Sequence, residues 1–315
     1  MFRSRAFVVG ALMGLLAGAC GERVPRDTPA TGDASSVPST TNTTAAPLDD
    51  FGEPLPTDDR HAARVVSLNP AFTEIAYAIG AGARLVGRTA WDDRPAAVLQ
   101  VTNVGPGIRP NVEAVLATRP TLVLLYATAE NRAAAQAFAR AGVRTLALRT
   151  VTIGDFRTAA RALGIALGAP TAAAALVDSI DGTLARVADA VRGAPRPRVV
   201  WPSWDAPVMV VGNASYEAEL LELAGAENVF ADRDEPVATV TLEEITRRDP
   251  ALVLASPSRL AVLRASRPWQ AVPAVRDGRL VALDTAVIGR PGVTIGMAAV
   301  AIARALHPER ADRLP

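Results

Sequence analysis

The stretch RVVSLNPAFTEIAYAIGAGARLVGRTAWDDRP, residues 64–95, contains the pattern on which the fold depends. Its first apolar run, Val65 to Leu68, is short and rich in valine, as in a strand buried on both faces of a parallel sheet. Asn69 and Pro70 then predict a helix start, because Asn accepts a hydrogen bond from a free amide there and proline has no N–H to satisfy. A second apolar run, Leu85 to Gly87, predicts the next strand. Strand, helix and strand in this order predict one unit of an α/β sheet.

The loops after these two predicted strands are candidate ligand contacts. In open α/β sheets, ligands bind in the crevice outside the carboxyl ends of the strands. Asn69 follows the first strand and Trp91 follows the second, so we expect both side chains to reach that crevice. Gly107 belongs to a further loop, Gly105-Pro106-Gly107, which we expect to bring backbone close to the same place.

Strand and helix patterns alternate along most of the chain and predict two lobes. With 315 residues, half of them hydrophobic, the chain can bury a large core. We predict an α/β fold with two doubly wound α/β lobes, residues 62–169 and 195–315, and a ligand cleft between them. Residues 170–194 are rich in alanine, with apolar residues at helical spacing, and predict one long backbone helix that joins the lobes. A single long helix is a stiff connector, so we do not expect large hinge closure.

An internal repeat supports the two-lobe prediction. The pattern NVEAV…RPTLVL from Asn111 superposes on TLEEI…DPALVL from Thr241, at a constant offset of 130 residues. Each copy predicts a capped helix, a proline stop and a buried strand. Glu113 and Glu243 occupy the second helical position of each copy, where a carboxylate complements the helix dipole by about 0.3 to 1 kcal/mol.

The N-terminus has the layout of an export signal. Arg3 and Arg5 precede an apolar run that is too short to span a membrane, so residues 1–19 are predicted to be a signal peptide. Cys20, the only cysteine, follows small residues in a lipobox-like position and is predicted to be lipidated. The alternative is ordinary signal-peptidase cleavage beside an unrelated cysteine. Residues 20–61 are rich in Pro, Thr, Ser, Asp and Ala, which predicts a lipidated, disordered tether.

Four blocks of the chain, spanning about residues 61 to 309, resemble the class III (cluster A-II) periplasmic substrate-binding proteins. This family serves ABC importers of vitamin B12, ferric siderophores and haem, and the chain most resembles its cobalamin-binding members. The resemblance implies a monomer that is exported to the periplasm or another extracytoplasmic compartment and anchored to a membrane by lipid. It implies no resident cofactor, a corrinoid or ferric chelate as cargo, and an ABC permease with its ATPase as partner. The blocks are residues 64–95, 111–125, 212–232 and 241–255.

The resemblance also assigns roles to individual residues. Trp91 matches an aromatic that lines the corrinoid pocket, and Trp204, in a loop of the second lobe, is expected across the cleft from it. Arg290 lies in a stretch that resembles the final cleft loop of the family. Glutamates at the positions of Glu113 and Glu243 meet arginines of the permease in the family, an alternative that is compatible with their helix-dipole role. The predicted ligand-binding residues are Asn69, Trp91, Gly107, Trp204 and Arg290.

One observation competes with this interpretation of the cleft. Relatives that bind anionic ferric siderophores or haem place arginines there, because guanidinium pairs strongly with carboxylates. The candidate arginines here are Arg88, Arg94, Arg109 and Arg290. For Trp201 and Trp269, we expect a place at the edge of the core.

Other function classes find little support in the sequence. The net charge of +1 provides no electrostatic footprint for nucleic acid, and the chain contains no P-loop. His61 and His307 are far apart in sequence and badly placed for a metal cage or a catalytic triad, so neither catalytic nor metal-binding residues are predicted. We therefore predict a binding protein that delivers a corrinoid, or alternatively a ferric siderophore or haem. A sensor or interaction protein with the same fold is the rival class, and an enzyme comes third.

Overall fold

Two parallel sheets of four strands each form the framework of the chain, which this computed structural model describes from residue 47 to residue 315. The predicted signal peptide and Cys20 lie outside the described residues. The strands are β1 (Val65–Ser67), β2 (Leu85–Gly87), β3 (Leu122–Tyr126), β4 (Arg144–Leu148), β5 (Arg198–Val200), β6 (Pro202–Asp205), β7 (Val208–Val211), β8 (Glu227–Asn228), β9 (Val237–Thr239), β10 (Leu252–Ala255) and β11 (Leu280–Ala282).

Helices follow most of these strands. The α-helices are α1 (Pro70–Ala78), α2 (Val112–Ala117), α3 (Ala129–Arg140), α4 (Ile153–Ala166), α5 (Pro170–Ala190), α6 (Tyr216–Leu223), α7 (Leu242–Arg248), α8 (Pro257–Ala265), α9 (Pro273–Arg276), α10 (Thr285–Ile288) and α11 (Ile295–Leu306). Short 3-10 helices cover Gly82–Arg84, Ala96–Gln100, Pro268–Ala271 and Pro308–Arg313. Among the described residues, no helix combines the length and the apolar character that a membrane crossing needs.

The two parallel sheets have the same topology. The first lobe has the strand order β2-β1-β3-β4, and the second has β8-β5-β10-β11. In each sheet the first strand along the chain, β1 or β5, pairs in parallel with the second strand of that sheet on one side and with the third on the other. The prediction of two doubly wound α/β lobes is therefore confirmed, and the internal repeat extends to the order of the strands.

The long connecting helix lies inside the core. The sequence predicts it over residues 170–194, and α5 covers Pro170–Ala190. Its buried residues Val177, Leu184 and Val187 belong to one apolar cluster that also contains side chains of α1, α4, α6 and α11. Because these helices come from both lobes, the connector is packed along its length, as expected of a stiff joint.

The second lobe contains an additional three-stranded antiparallel sheet with the order β6-β7-β9. The sequence prediction that Trp204 lies in a loop was wrong, because Pro202–Asp205 forms β6 and pairs with β7. Proline at the beginning of this strand conceals the strand pattern, and an edge strand tolerates it because one side of the strand needs no ladder partner.

The predicted tether is shorter than expected at its carboxyl end. Asp49 is buried, and its carboxylate accepts hydrogen bonds from the N–H groups of Phe51, Glu53 and Ala147, each at 2.9 Å. The N–H of Asp50 donates to the carbonyl of Ala147 at 3.0 Å, and its carboxylate accepts from the N–H of Arg149 at 2.7 Å. Residues 47–61 are thus packed on the first lobe, and only residues 20–46 of the predicted tether lie outside the described part of the chain.

Candidate functional site

Loops from the carboxyl ends of the two lobes meet in two places. After β2, the Asp93 carboxylate lies 3.3 Å from the guanidinium of Arg290 in the second lobe. After β4, the carbonyl of Val151 accepts a hydrogen bond at 2.8 Å from the N–H of Tyr216 at the start of α6. Strands β2 and β4 are the two edges of the first sheet, so the carboxyl ends of β1 and β3 lie between these contacts. The region between the two contacts, at the carboxyl ends of β1 and β3, is the candidate ligand cleft.

Asn69 lies at the carboxyl end of β1 and caps α1. Its side-chain oxygen accepts a hydrogen bond from the N–H of Ala71 at 2.8 Å, as the sequence predicts. The residue is half-buried at the cleft edge of the sheet. A contact between Asn69 and ligand stays a prediction.

Gly107 brings backbone against the end of β1. A Cβ atom at this position would overlap the carbonyl oxygen of Leu68. Its own carbonyl accepts a hydrogen bond at 3.0 Å from the side-chain amide of Asn131, which is fully buried. Asn131 also donates to the carbonyl of Tyr126 and accepts from the N–H of Arg109, each at 3.0 Å. Asn131 therefore holds the cleft loop on β3, a role that sequence reasoning missed because its partners are distant in the chain.

Substitution of Gly107 tests this close approach. We expect Gly107→Ala to lower the free energy of unfolding by about 1 to 2 kcal/mol, since the new methyl group meets backbone that cannot move freely. Gly154→Ala in α4 is the matched control, because its Cβ would lie no closer than 3.5 Å from the nearest atom, the hydroxyl of Thr152. Urea denaturation of both variants measures the difference. Equal stability of the two variants would contradict the assignment.

Trp91 is an exposed aromatic residue on a loop that hydrogen bonds hold in place. The residue is 72% exposed, and its backbone N–H donates to the hydroxyl of Thr89 at 3.1 Å. The buried carboxylate of Asp92 accepts hydrogen bonds from both the N–H and the hydroxyl of Thr89. Asp93, two residues after Trp91, contacts the second lobe. Trp91 therefore lies on the loop that meets the opposite lobe, and its contact with ligand stays a prediction.

The other three tryptophans fall into two groups. Trp204 is 57% exposed on β6, with its ring centroid 5.9 Å from the guanidinium carbon of Arg259 in α8. Trp201 and Trp269, expected at the edge of the core, are 7% and 3% exposed and belong to the core itself. Trp204 lies on a strand and not in the expected loop, and its opposition to Trp91 across the cleft stays a prediction.

Four charged side chains, Glu74, Asp93, Arg94 and Arg290, form a cluster at the lobe boundary, called here the Glu74 cluster. Glu74 Oε1 lies 3.0 Å from Arg94 Nη2 and 3.2 Å from Arg290 Nη1. Glu74 is only 4% exposed. Burial raises the pKa of the Glu74 carboxyl, and the positive charges of Arg94 and Arg290 oppose that shift. Arg290, predicted to bind ligand, is therefore paired with carboxylates of the first lobe.

The other two candidate arginines are placed differently. Arg88 Nη1 donates to the carbonyl of Thr89 at 2.9 Å. Arg109 is exposed in the loop that Asn131 holds, with a left-handed backbone φ of 51°. Of the four arginines, Arg109 is thus the one that an anionic ligand reaches with the least rearrangement of the chain.

A second titratable group, unexpected from the sequence, lies between the same loops. Tyr126 is half-buried at the end of β3, and burial raises the pKa of its phenol. The positive charge of Arg149 opposes that shift, and the carboxylates nearby, which include Glu217, add to it. Glu217 belongs to α6 of the second lobe, and burial raises the pKa of its carboxyl too. A Tyr at a strand end and a Glu at a helix start are common in sequences, so neither position alone indicated a site.

The two candidate docking glutamates occupy equivalent positions in the two lobes. Glu113 and Glu243 are both exposed in the first turns of α2 and α7. The side chains of Asn111 and Thr241 cap these helices, as the repeat predicts. Hydrogen bonds from its own backbone N–H and from Thr241 lower the pKa of the Glu243 carboxyl, so it is charged at neutral pH.

The repeat also holds residue by residue. Over residues 111–120 and 241–250, buried, half-buried and exposed positions follow the same order. The residues before the two prolines, Arg119 and Asp249, both have left-handed backbones, with φ of 51° and 45°.

Within residues 47–315, no group of three or more His, Cys, Asp or Glu is arranged to hold a metal ion.

Comparison with known proteins adds a family and several relatives. A family model described as "Periplasmic binding protein" matches residues 65–287. The vitamin B12-binding protein of Pectobacterium carotovorum is 28% identical over 217 residues, which cover 67% of this chain and 79% of the relative. An uncharacterized ABC transporter substrate-binding lipoprotein of Bacillus subtilis is 26% identical over 273 residues, covering 83% of this chain and 85% of the relative.

Solved structures include a close match to the fold. A crystal structure of a periplasmic heme binding protein from Pseudomonas aeruginosa superposes with a TM-score of 0.68. The two are 26% identical, and the match covers 78% of this chain and 93% of that chain. Relatives described as binding vitamin B12 and relatives described as binding heme are therefore similar to this chain to comparable degrees.

Proposed function

This chain belongs to the periplasmic binding protein family, and from that premise we propose that it captures a corrinoid and delivers it to the permease of an ABC importer. The observation that carries the proposal is Trp91, an exposed aromatic on a fixed loop at the lobe boundary. The vitamin B12-binding relative at 28% identity supports the same choice of cargo. A flat, largely uncharged macrocycle suits such a surface, because its binding energy comes from apolar contact.

The energy available from such contacts is sufficient. Burying one tryptophan against a flat ligand removes roughly 200 Å² of surface at about 25 cal/mol per Å², a ceiling near 5 kcal/mol. Two or three contacts of this kind support submicromolar binding after the cost of association. Arg94 and Arg290 are already paired with Glu74, which leaves fewer cationic groups for a polyanionic ligand.

Haem or a ferric siderophore is the second candidate. The Pseudomonas aeruginosa heme binding protein supports it, together with the exposed Arg109, which can pair with a ligand carboxylate. The two candidates differ in their expected response to salt. Salt screens charge pairs at exposed sites and has little effect on buried apolar area.

Titration of the purified protein distinguishes these cargoes. Cyanocobalamin, haemin and an anionic ferric siderophore are titrated at low and high salt, with tryptophan fluorescence and calorimetry as readouts. We expect submicromolar cyanocobalamin binding that changes little with salt. Absence of cobalamin binding, or salt-sensitive binding of haemin or the siderophore alone, would overturn the corrinoid proposal.

Lipidation at Cys20 is a separate part of the proposal. It rests on the lipobox-like sequence before Cys20, and the Bacillus subtilis relative described as a lipoprotein supports it. We expect Cys20→Ala to move the protein from the membrane fraction to the soluble fraction, because acyl chains supply the membrane affinity. Ser35→Ala in the same segment is the control and should stay with the membrane. Fractionation and immunoblotting measure both, and a membrane-bound Cys20→Ala variant would refute lipidation at this position.

A further inference from the structure

In the Glu74 cluster, each lobe contributes one arginine that contacts the other lobe. Arg290 extends from the second lobe, with Nη1 3.2 Å from Glu74 Oε1 and Nη2 3.3 Å from Asp93 Oδ1. Arg94 extends from the first lobe, and its Nη1 donates to the carbonyl of Ala286 in the second. Its Nη2 lies 3.0 Å from the same Glu74 oxygen. Each lobe therefore provides one arginine to the other, and both meet at one carboxylate.

Glu74 is a buried carboxylate at the centre of the cluster and not a surface charge. It lies on α1 and is only 4% exposed, and its Oε2 atom is buried with no hydrogen-bond partner among the described residues. Burying a carboxylate is costly, and the arginines compensate only while both stay close. Such a site tolerates displacement poorly, so it selects one relative position of the two lobes.

The backbone of the second lobe approaches α1 beside this centre. A Cβ atom at Gly292, two residues after Arg290, would lie 3.4 Å from Glu74 Oε2 and 3.7 Å from Ala71 Cβ. On the other side, Asp93 and Arg94 follow directly from the loop that carries Trp91. A change in the Glu74 cluster would therefore move the candidate aromatic contact relative to the opposite lobe.

We propose that the Glu74 cluster fixes the width of the ligand cleft, and that Arg290 is a positioning residue that acts through Glu74 and makes no ligand contact. The proposal rests on the proposed function only for the site that it shapes. It differs from the role that the sequence predicts for Arg290. To pair with a ligand, Arg290 would have to leave a carboxylate that is almost fully buried, and that carboxylate would lose half of its compensating charge.

A double-mutant cycle with two readouts tests this proposal. The variants are Glu74→Gln, Arg290→Gln and their combination, in a soluble Cys20→Ala background. The first readout is the distance between spin labels on Leu99→Cys in the first lobe and Val262→Cys in the second, two exposed positions that do not belong to the cluster. The second readout is the Kd for cyanocobalamin, and thermal unfolding confirms that each variant is folded.

We expect both single variants to broaden or shift the label distance and to weaken cyanocobalamin binding three- to tenfold. The double variant should weaken binding no more than either single variant, because both changes remove the same contact. Arg157→Gln is the matched control. It breaks an ion pair of 2.9 Å with Asp181 that does not cross between the lobes, and it should leave both readouts unchanged.

Other outcomes would overturn the proposal. An unchanged distance in Arg290→Gln, or additive losses in the double variant, would show that the two residues act independently. Loss of binding only for an anionic ferric chelate, and only in Arg290→Gln, would make Arg290 a ligand contact. If the wild type fails to bind cyanocobalamin, the proposed cargo is wrong, while the label distances still decide whether the cluster sets the cleft width.

Discussion

Charge reversal at both candidate docking positions, Glu113→Lys and Glu243→Lys, is expected to abolish delivery of ligand while leaving its affinity in solution unchanged. Both carboxylates are exposed in the first helical turns of α2 and α7, at equivalent positions of a duplicated unit. A permease with two-fold symmetry can present the same cationic groups to both, and lysine in their place would repel those groups. Uptake of labelled cobalamin into vesicles that carry the permease and ATPase measures delivery.

A matched control separates docking from the change in net charge. Asp178→Lys with Glu309→Lys adds the same charge at two exposed positions elsewhere and should leave delivery intact. The reversals at Glu113 and Glu243 also oppose the helix dipole, a cost of about 0.3 to 1 kcal/mol each, so the protein should stay folded. Each single reversal should reduce delivery in part. Normal uptake by the double variant, or loss of its ligand binding, would contradict the docking role.

The second large effect is expected at Trp91. Trp91→Ala should weaken cyanocobalamin binding by at least about 2 kcal/mol, or about thirtyfold in Kd, as for a buried aromatic anchor. The loop should keep its conformation, because the hydrogen bonds of Thr89 and Asp92 do not involve the indole. Thermal stability should change little, since the side chain is 72% exposed without ligand.

Several variants make the Trp91 result specific. Trp91→Phe should recover part of the affinity, because a smaller ring keeps some of the apolar contact. Leu99→Ala, an equally simple truncation of an exposed apolar residue, should have no effect. Wild-type affinity in Trp91→Ala would refute the aromatic anchor. Salt-sensitive binding that is lost in Arg109→Gln would point to an anionic ligand instead.

Elements that depend on local signals could be predicted from the sequence. The caps at Asn111 and Thr241 and the proline-initiated α5 follow from residues near each other in the chain. A helix start or a buried strand is decided largely within about one turn or one run of residues. This is why the sequence alone indicates the architecture and the equivalence of the two glutamates.

Contacts between distant residues were not accessible in this way. Glu74 and Arg290 are 216 positions apart, and helical spacing alone marks Glu74 only as one polar residue of α1. The sequence therefore assigns Arg290 to the ligand without revealing its buried partner, and the double-mutant cycle described above tests that assignment. The same reason explains the error at the end of the tether, where Asp49 bonds to a residue 98 positions away.

The short segment before the first lobe determines where a fragment of the protein should begin. The family match begins at residue 65, whereas Asp49 and Asp50 satisfy the outward N–H and C=O groups of Ala147 on the edge strand β4 and the N–H of Arg149 directly after it. A fragment that starts at the family boundary would leave this row unpaired, as a template on which strands of other molecules can add. Because Asp49 and Asp50 lie outside the family match, we expect a fragment without them to aggregate more readily, and a soluble fragment should begin no later than residue 47.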